Sequence, residues 1–282
     1  MIKFGPSGNS EEFYNCGFKA TEQAGAWVAE KGLTIFEYSF GKGVRLSEAK
    51  AIVMKEAFEK AGVEMTVHAP YFINLANPEE EMAQKSYGYV LQSLEKARQM
   101  GAKRVIFHPG TEGKMNREEA FELVKKRMAI LKDLIIENGY DDMIICPETM
   151  GKIRQIGTVS EVCELCTIAD FFIPCIDFGH INAREHGSLK TVEDFEKILD
   201  EMTEKLGEKA KNFHIHFSKI EFSKGGEVRH LTFEDAVYGP EFPPLAFALK
   251  SKGFTPYCIC ESAGTQTKDA VTMLEMYNAI EL

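Results

Sequence analysis

The chain has 282 residues, of which 44% are hydrophobic and 27% are charged, so it can bury a large core. Its formal net charge of -10 argues against a surface that coats nucleic acid nonspecifically. No apolar run approaches the roughly 20 residues of a transmembrane helix, and the N-terminal Met1-Ile-Lys-Phe lacks a signal-peptide pattern. We therefore expect a cytoplasmic monomer with no membrane partner.

Strand-like runs alternate with amphipathic segments along the whole chain. Eight strands are predicted at Ile2–Gly5, Thr34–Tyr38, Met65–His68, Arg104–His108, Met143–Glu148, Ile173–Asp177, Phe213–His216 and Pro256–Glu261. Helices are predicted between them at Ser47–Ala61, Glu80–Met100, Arg117–Asn138, Thr158–Ala169, Thr191–Leu206 and Leu245–Lys252. Eight strand–helix units without a break predict an α/β fold, a (β/α)8 TIM barrel formed by one domain over residues 1–282. A doubly wound open sheet is the alternative, but no GxGxxG follows the first strand.

Histidine and acidic residues recur where the predicted strands end. They are His68, His108, Glu148, Asp177, His214 and Glu261, at the ends of strands three to eight. Core packing gives no reason for this placement, whereas imidazole and carboxylate are ligands of zinc, manganese and iron. Because barrel active sites form at the carboxyl ends of the strands, the pattern predicts one shared metal site.

Further residues near these ends have less certain roles. His180 follows Asp177 by three residues, a spacing that lets the two side chains reach adjacent metals. His216 faces the same side of its strand as His214, so one of the two binds metal and the other can hold a carboxylate or a substrate oxygen. Tyr71 overhangs the barrel mouth, where it either stacks on a base or sugar or covers the barrel.

Two other features carry weaker signals. The longest predicted loop, residues 218–243, brings Lys219 and further basic residues near the mouth as possible substrate contacts. Cys163 and Cys166 form a CxxC on a helical pattern with no second pair, which favours an ordinary reduced helix over a zinc or redox site.

Several motifs resemble the endonuclease IV family of apurinic/apyrimidinic endonucleases, within the xylose-isomerase-like barrel superfamily. The strongest is VHAPYFINLA, which runs from Val67 to Ala76. Others follow in order: FHPG from Phe107, PET from Pro147, DFGH from Asp177, HIHFSK from His214, Arg229-His230 and Cys260-Glu261-Ser262. The set extends nearly from end to end of the chain and is specific, although no single piece is.

The resemblance implies two or three bound divalent metals, usually zinc, with manganese as the alternative. It implies that His68 and His108 bind the first metal and that Glu148 bridges to the second. Asp177, His214 and Glu261 would complete the second site, and His180 and His230 would bind the third. Glu148 and Glu261 would be the catalytic carboxylates.

One departure from the family pattern affects the third metal. The family has an aspartate two residues before the last histidine, and here that position is Val228, which cannot bind metal. Either the adjacent Glu227 reaches the site, or the third site is weak or empty. The segment His216-Phe217 also departs from the Asn-Asp of the family.

The implied activity is metal-dependent hydrolysis of DNA on the 5′ side of an abasic site, with abasic or damaged DNA as the partner. A second hypothesis is a single-metal isomerase or epimerase acting on a small keto sugar or sugar phosphate, in which two glutamates move a proton. The nuclease and isomerase hypotheses are discriminated by four further histidines, which a one-metal isomerase does not need: His68, His108, His180 and His230. A third hypothesis is a metal-binding barrel without catalysis.

Overall fold

Twelve strands and ten α-helices make up the structure, a computed structural model that describes residues 1–282. The strands are β1 (Lys3–Pro6), β2 (Ile35–Ser39), β3 (Glu64–His68), β4 (Arg104–Phe107), β5 (Gly110–Thr111), β6 (Ile144–Pro147), β7 (Gln155–Ile156), β8 (Cys175–Asp177), β9 (His214–Phe217), β10 (Ile220–Ser223), β11 (Gly226–His230) and β12 (Tyr257–Cys260). The helices are α1 (Glu11–Asn15), α2 (Ala24–Glu30), α3 (Glu48–Ala61), α4 (Glu80–Gln99), α5 (Arg117–Glu137), α6 (Val159–Cys166), α7 (Phe178–Arg184), α8 (Val192–Leu206), α9 (Phe242–Ser251) and α10 (Gln266–Asn278).

Eight of the strands form a closed parallel barrel. Two four-stranded sheets, ordered β1–β12–β9–β8 and β2–β3–β4–β6, make the two halves of its wall. Short parallel bridges join the halves at two seams, one between Ser7 and Glu37 and the other between Glu148 and Cys175. Closure leaves no free sheet edge, and it brings all eight carboxyl ends to one mouth.

The predicted TIM barrel is confirmed, and each of the eight predicted strands overlaps a barrel strand. Their short, nearly continuous apolar sequences are typical of strands buried on both faces. The six predicted helices correspond to α3, α4, α5, α6, α8 and α9. No periodic pattern predicted α7, because its first six residues, 178–183, are all buried and it has no polar face.

The outer helices follow ordinary sequence rules. In α8, the buried residues Phe195, Ile198, Leu199 and Met202 recur at the spacing of one helical face. Ser47 begins α3 by accepting a hydrogen bond from the Lys50 amide, which satisfies one of the free amides of the first turn. None of the helices combines the length and the hydropathy that crossing a membrane requires.

The antiparallel hairpin β10–β11 lies beside the mouth, within the region that was predicted as a long loop. Its tip packs against the segment that follows β6, since Lys152 and Gly226 form an antiparallel bridge. The Glu227 amide also donates to the Gly151 carbonyl at 3.0 Å. The hairpin is therefore positioned by backbone contacts against the end of a barrel strand.

Candidate metal centre

Glu148 lies at the centre of the mouth, directly after β6. One carboxylate oxygen, Oε2, is 3.0 Å from His68 Nε2 and 3.2 Å from His108 Nε2. The other, Oε1, is 3.0 Å from His216 Nδ1 and 3.4 Å from His180 Nδ1. Glu148 is fully buried, and four imidazoles from four different strand ends surround it.

Asp177 and Glu261 lie beside Glu148 at the mouth. Their carboxylates, together with that of Glu148 and a ring nitrogen of His216, form a set of four donors within 4.8 Å of one another. Asp177 Oδ1 accepts a hydrogen bond from the His180 amide and so caps α7, while the buried Oδ2 has no hydrogen-bond partner. A buried carboxylate oxygen without a donor, next to other carboxylates, fits a bound cation.

His216, rather than the predicted ligand His214, contributes the imidazole nitrogen of this set. The two side chains both point into the barrel, but His214 lies lower, toward the interior. Its Nε2 is 3.1 Å from the buried carboxylate of Glu37. Because residues two apart on a strand are separated by about 6.6–6.8 Å, only His216 reaches the height of the mouth.

A second group of donors lies where the hairpin meets the mouth. His180, Glu227 and His230 offer ligand atoms within 4.8 Å of one another, and His180 Nε2 is 3.5 Å from Glu227 Oε2. Val228 is 50% exposed and takes no part. Glu227, and not the residue at position 228, is therefore the carboxylate that lies beside His180 and His230.

Two glycines make this approach possible. A Cβ on Gly151 would lie 2.7 Å from the Glu227 Cβ and 2.9 Å from His180 Cδ2, and a Cβ on Gly226 would lie 2.2 Å from the Gly151 carbonyl oxygen. Gly226 also has a φ of +89°, which disfavours other residues. The close contact of these backbones brings Glu227 to His180.

The pKa values of the cluster reflect the close contact of carboxylates with imidazoles. Burial alone would raise the pKa of Glu148, but the charge of His216 and contacts from His108 and His180 hold that pKa well below its usual range. Burial raises the pKa of Asp177, and His180 opposes this only in part. Burial would lower the pKa of His68, yet its contact with Glu148 raises it to about 9.

Of the remaining predicted residues, Tyr71 lines the cavity at the barrel mouth, whereas Lys219, Cys163 and Cys166 do not. Tyr71 is 55% exposed and lines the cavity, and its carbonyl lies 3.2 Å from His108 Nδ1. Lys219 is instead buried away from the cavity, with Nζ 2.6 Å from Glu241 Oε1. Cys163 and Cys166 are buried on α6, where burial raises the pKa of each thiol.

Two residues of the site were absent from the sequence prediction. Glu37 lies in the middle of β2, below the mouth, and no motif marked it. Lys152 is the only lysine or arginine that lines the cavity of about 290 Å³ at the mouth. Its position follows from the bridge to Gly226, a long-range contact that sequence spacing does not reveal.

Several known proteins are similar in sequence to this chain. The family described as xylose isomerase-like TIM barrel matches residues 26–277. An uncharacterized protein of Methanocaldococcus jannaschii is 34% identical over 249 residues, which are 88% of each chain. A "probable endonuclease 4" of Aquifex aeolicus is 28% identical over 76% of this chain and 75% of its own. Another, from Shouchella clausii, matches over only 54% of its own length.

Solved structures of two kinds share the fold. Endonuclease IV from Thermus thermophilus superposes with a TM-score of 0.69 at 18% identity, covering 98% of both chains. A D-tagatose 3-epimerase-like protein superposes with a TM-score of 0.72 at 19% identity, again covering 98% of both. At these identities the likeness concerns the fold, and the choice of chemistry depends on the residues at the mouth.

Proposed function

The chain belongs to the xylose isomerase-like TIM barrel family, and we propose that within it this protein is a metal-dependent phosphodiesterase that resembles endonuclease IV and hydrolyses DNA 5′ to abasic sites. One observation supports this choice above the others. The donors around the mouth outnumber what one ion can bind, since His68, His108, His180, His230 and Glu227 accompany the four-donor set of Glu148, Asp177, His216 and Glu261.

The donors divide into three groups. In our assignment His68, His108 and Glu148 would hold the first ion, Glu148, Asp177, His216 and Glu261 the second, and His180, Glu227 and His230 the third. Imidazole nitrogen and carboxylate oxygen suit zinc, with manganese as the alternative. Bound ions of this kind supply a nucleophilic hydroxide at neutral pH and neutralise charge on a phosphodiester.

The side chains of the chain itself have separate roles in this proposal. Glu148 and Glu261 are the catalytic carboxylates, since each lines the cavity and lies close to His216 Nδ1. Lys152 gives the cavity a positive charge for a phosphate oxygen. Tyr71 and Phe72, exposed on the loop after β3, offer aromatic faces to a nucleotide.

A sugar epimerase or isomerase is the second candidate, and a specific observation favours it. The set of Glu148, Asp177, His216 and Glu261 is complete for one ion without any other histidine. The cavity of about 290 Å³ is of a size for a small sugar, and the D-tagatose 3-epimerase-like structure shares the fold. In this alternative Glu148 and Glu261 would transfer a proton next to a carbonyl.

Activity assays on paired variants separate the two candidates. Metal-loaded protein is tested on an end-labelled duplex with one abasic site, on the intact duplex, and on a panel of keto sugars. The nuclease proposal expects cleavage of the abasic duplex alone, and expects His108→Gln and His230→Gln each to reduce it by about 10-fold or more, as loss of a metal ligand should. Sugar turnover that survives both variants, without DNA cleavage, would reject the nuclease and favour the epimerase.

The third group has a test of its own. Glu227→Gln removes the only carboxylate of the group and should lower the metal-to-protein ratio after dialysis. Val228→Thr, an exposed change at the next residue, is the matched control and should leave the ratio unchanged. Equal ratios in all three proteins would show that Glu227 holds no ion.

A further inference from the structure

Each histidine of the mouth is oriented by a contact of its second ring nitrogen, and one of these contacts differs in kind. Three histidines use a neutral acceptor: Nδ1 of His68 is 2.7 Å from Ala69 O, that of His108 is 3.2 Å from Tyr71 O, and that of His230 is 2.8 Å from Ser218 Oγ. His180 Nδ1 also has a neutral partner, Thr149 O at 2.9 Å, but lies 3.2 Å from Asp177 Oδ2 as well. His216 instead has Nε2 2.9 Å from Glu37 Oε1, a carboxylate oxygen.

Glu37 is held firmly in this position. Thr66 Oγ1 donates to Glu37 Oε2 at 2.8 Å, and His214 Nε2 lies 3.1 Å from the same oxygen. Glu37 Oε1 and His216 Nε2 lie 2.9 Å apart without the alignment of a hydrogen bond, and neither atom has another hydrogen-bond partner. All four side chains are fully buried in the barrel interior.

A buried carboxylate is costly unless it has a specific partner, and packing alone would favour an apolar residue at this position. Inside the barrel, the Glu37 carboxylate lies next to the Thr66 hydroxyl and the imidazoles of His214 and His216. A carboxylate therefore faces the imidazole of His216, whose other ring nitrogen lies 3.0 Å from Glu148 at the mouth.

We infer that Glu37 is a positioning residue that fixes the tautomer and the orientation of His216, with Nε2–H directed to Glu37 and Nδ1 free to bind the ion shared with Asp177 and Glu261. A carboxylate partner also makes His216 a stronger metal donor than the histidines that face only neutral acceptors. His214 and Thr66 act through Glu37 and do not bind the ion. This inference rests on the proposed metal centre.

Metal affinity, measured without reference to activity, tests the role of Glu37. Competition with a chromogenic chelator gives Zn²⁺ affinities, and Co²⁺ substitution gives a visible spectrum that reports on the ligands. Glu37→Gln keeps the shape of the side chain but removes its charge, and should weaken the tightest Zn²⁺ site about 10- to 100-fold and shift the Co²⁺ bands. Glu64→Gln, on the solvent side of the neighbouring strand β3, is the control and should change neither.

A folded Glu37→Gln protein whose Zn²⁺ affinity and Co²⁺ spectrum match those of the wild type would overturn the inference. Histidine NMR on the 15N-labelled, Zn²⁺-loaded wild type gives a second test that needs no variant. It should show His216 with a protonated Nε2 whose hydrogen exchanges slowly, and a protonated Nδ1 would reject the inference. If the wild type binds no metal at all, the proposed function fails as well, so the two failures are distinguishable.

Discussion

At the scale of single residues, Glu148 is the most consequential position, because four histidines contact its two oxygens. We expect Glu148→Gln to reduce activity by at least about 100-fold, since even the loss of an outer partner of a metal ligand costs about 10- to 100-fold. The barrel should still form, because the side chain lies at the mouth and not in the apolar core. Glu118→Gln, exposed on α5, is the control. Undiminished turnover in Glu148→Gln would place catalysis elsewhere.

The raised pKa of His68 gives the metal-free protein a defined pH dependence. A proton held up to a pKa of about 9, rather than the ordinary 6.5, stabilises the metal-free fold fully below pH 6.5, and this stabilisation is lost as pH rises through 9. Metal must displace that proton, so Zn²⁺ affinity should rise between pH 6.5 and 9. Calorimetry in two buffers of different ionisation enthalpy should detect proton release at about pH 7.5, between these two values. Binding without proton release would contradict this prediction.

Residue types at strand ends could be predicted from sequence, but heights within the barrel could not. The sequence indicated that His214 and His216 share a face, and the family resemblance gave the ligand role to His214, whereas the four-donor set contains His216. Which of the two histidines reaches the mouth depends on the stagger of β9 against its neighbours, a property of barrel closure. Glu37 was missed for a similar reason, because its partners are brought to it from β9 and β3, far away in sequence.

At the scale of elements, the β10–β11 hairpin depends on the glycine at position 151. Gly151→Ala would introduce a Cβ within 3 Å of both Glu227 and His180, so the hairpin or His180 must move. We expect a lower metal-to-protein ratio after dialysis, with the set around Glu148 and Asp177 still occupied. Gly225→Ala is the matched control, since the nearest atom to its Cβ would be Ser223 Oγ at 3.8 Å. Equal loss in both variants would show that the close approach is unimportant.

The elements that could be predicted from sequence are those in which buried residues follow a regular pattern. Strands such as β4 are buried at every residue, and the buried residues of helices such as α8 recur at a helical period. The hairpin has neither pattern: β11 combines a buried glycine with two exposed residues, Val228 and Arg229. Its pairing also shifts register between Glu221 and Phe222, so a simple alternation does not describe it.

At the scale of the whole molecule, metal removal should lower stability. A ligand that binds only the folded state stabilises it by about 4.1 kcal/mol when its free concentration is about 1,000 times its Kd. Chelation should therefore lower the melting temperature by roughly 2–4 °C for each kcal/mol lost. Thermal unfolding with and without EDTA, followed by addition of Zn²⁺, measures the effect. A melting temperature that is insensitive to both would argue against tight metal binding.

The two seams of the barrel lie next to residues of the ligand cluster. One seam runs beside Glu37 and the other beside Glu148, and both glutamates belong to the half that contains β2 to β6, or directly follow it. His216, from the other half, contacts both of them. The contacts of His216 with Glu37 and Glu148 thus connect the two half-barrels. A motion that separated the two half-barrels at the seams would also separate these side chains. The rigidity of the barrel wall and the geometry of the candidate metal centre therefore depend on the same few contacts.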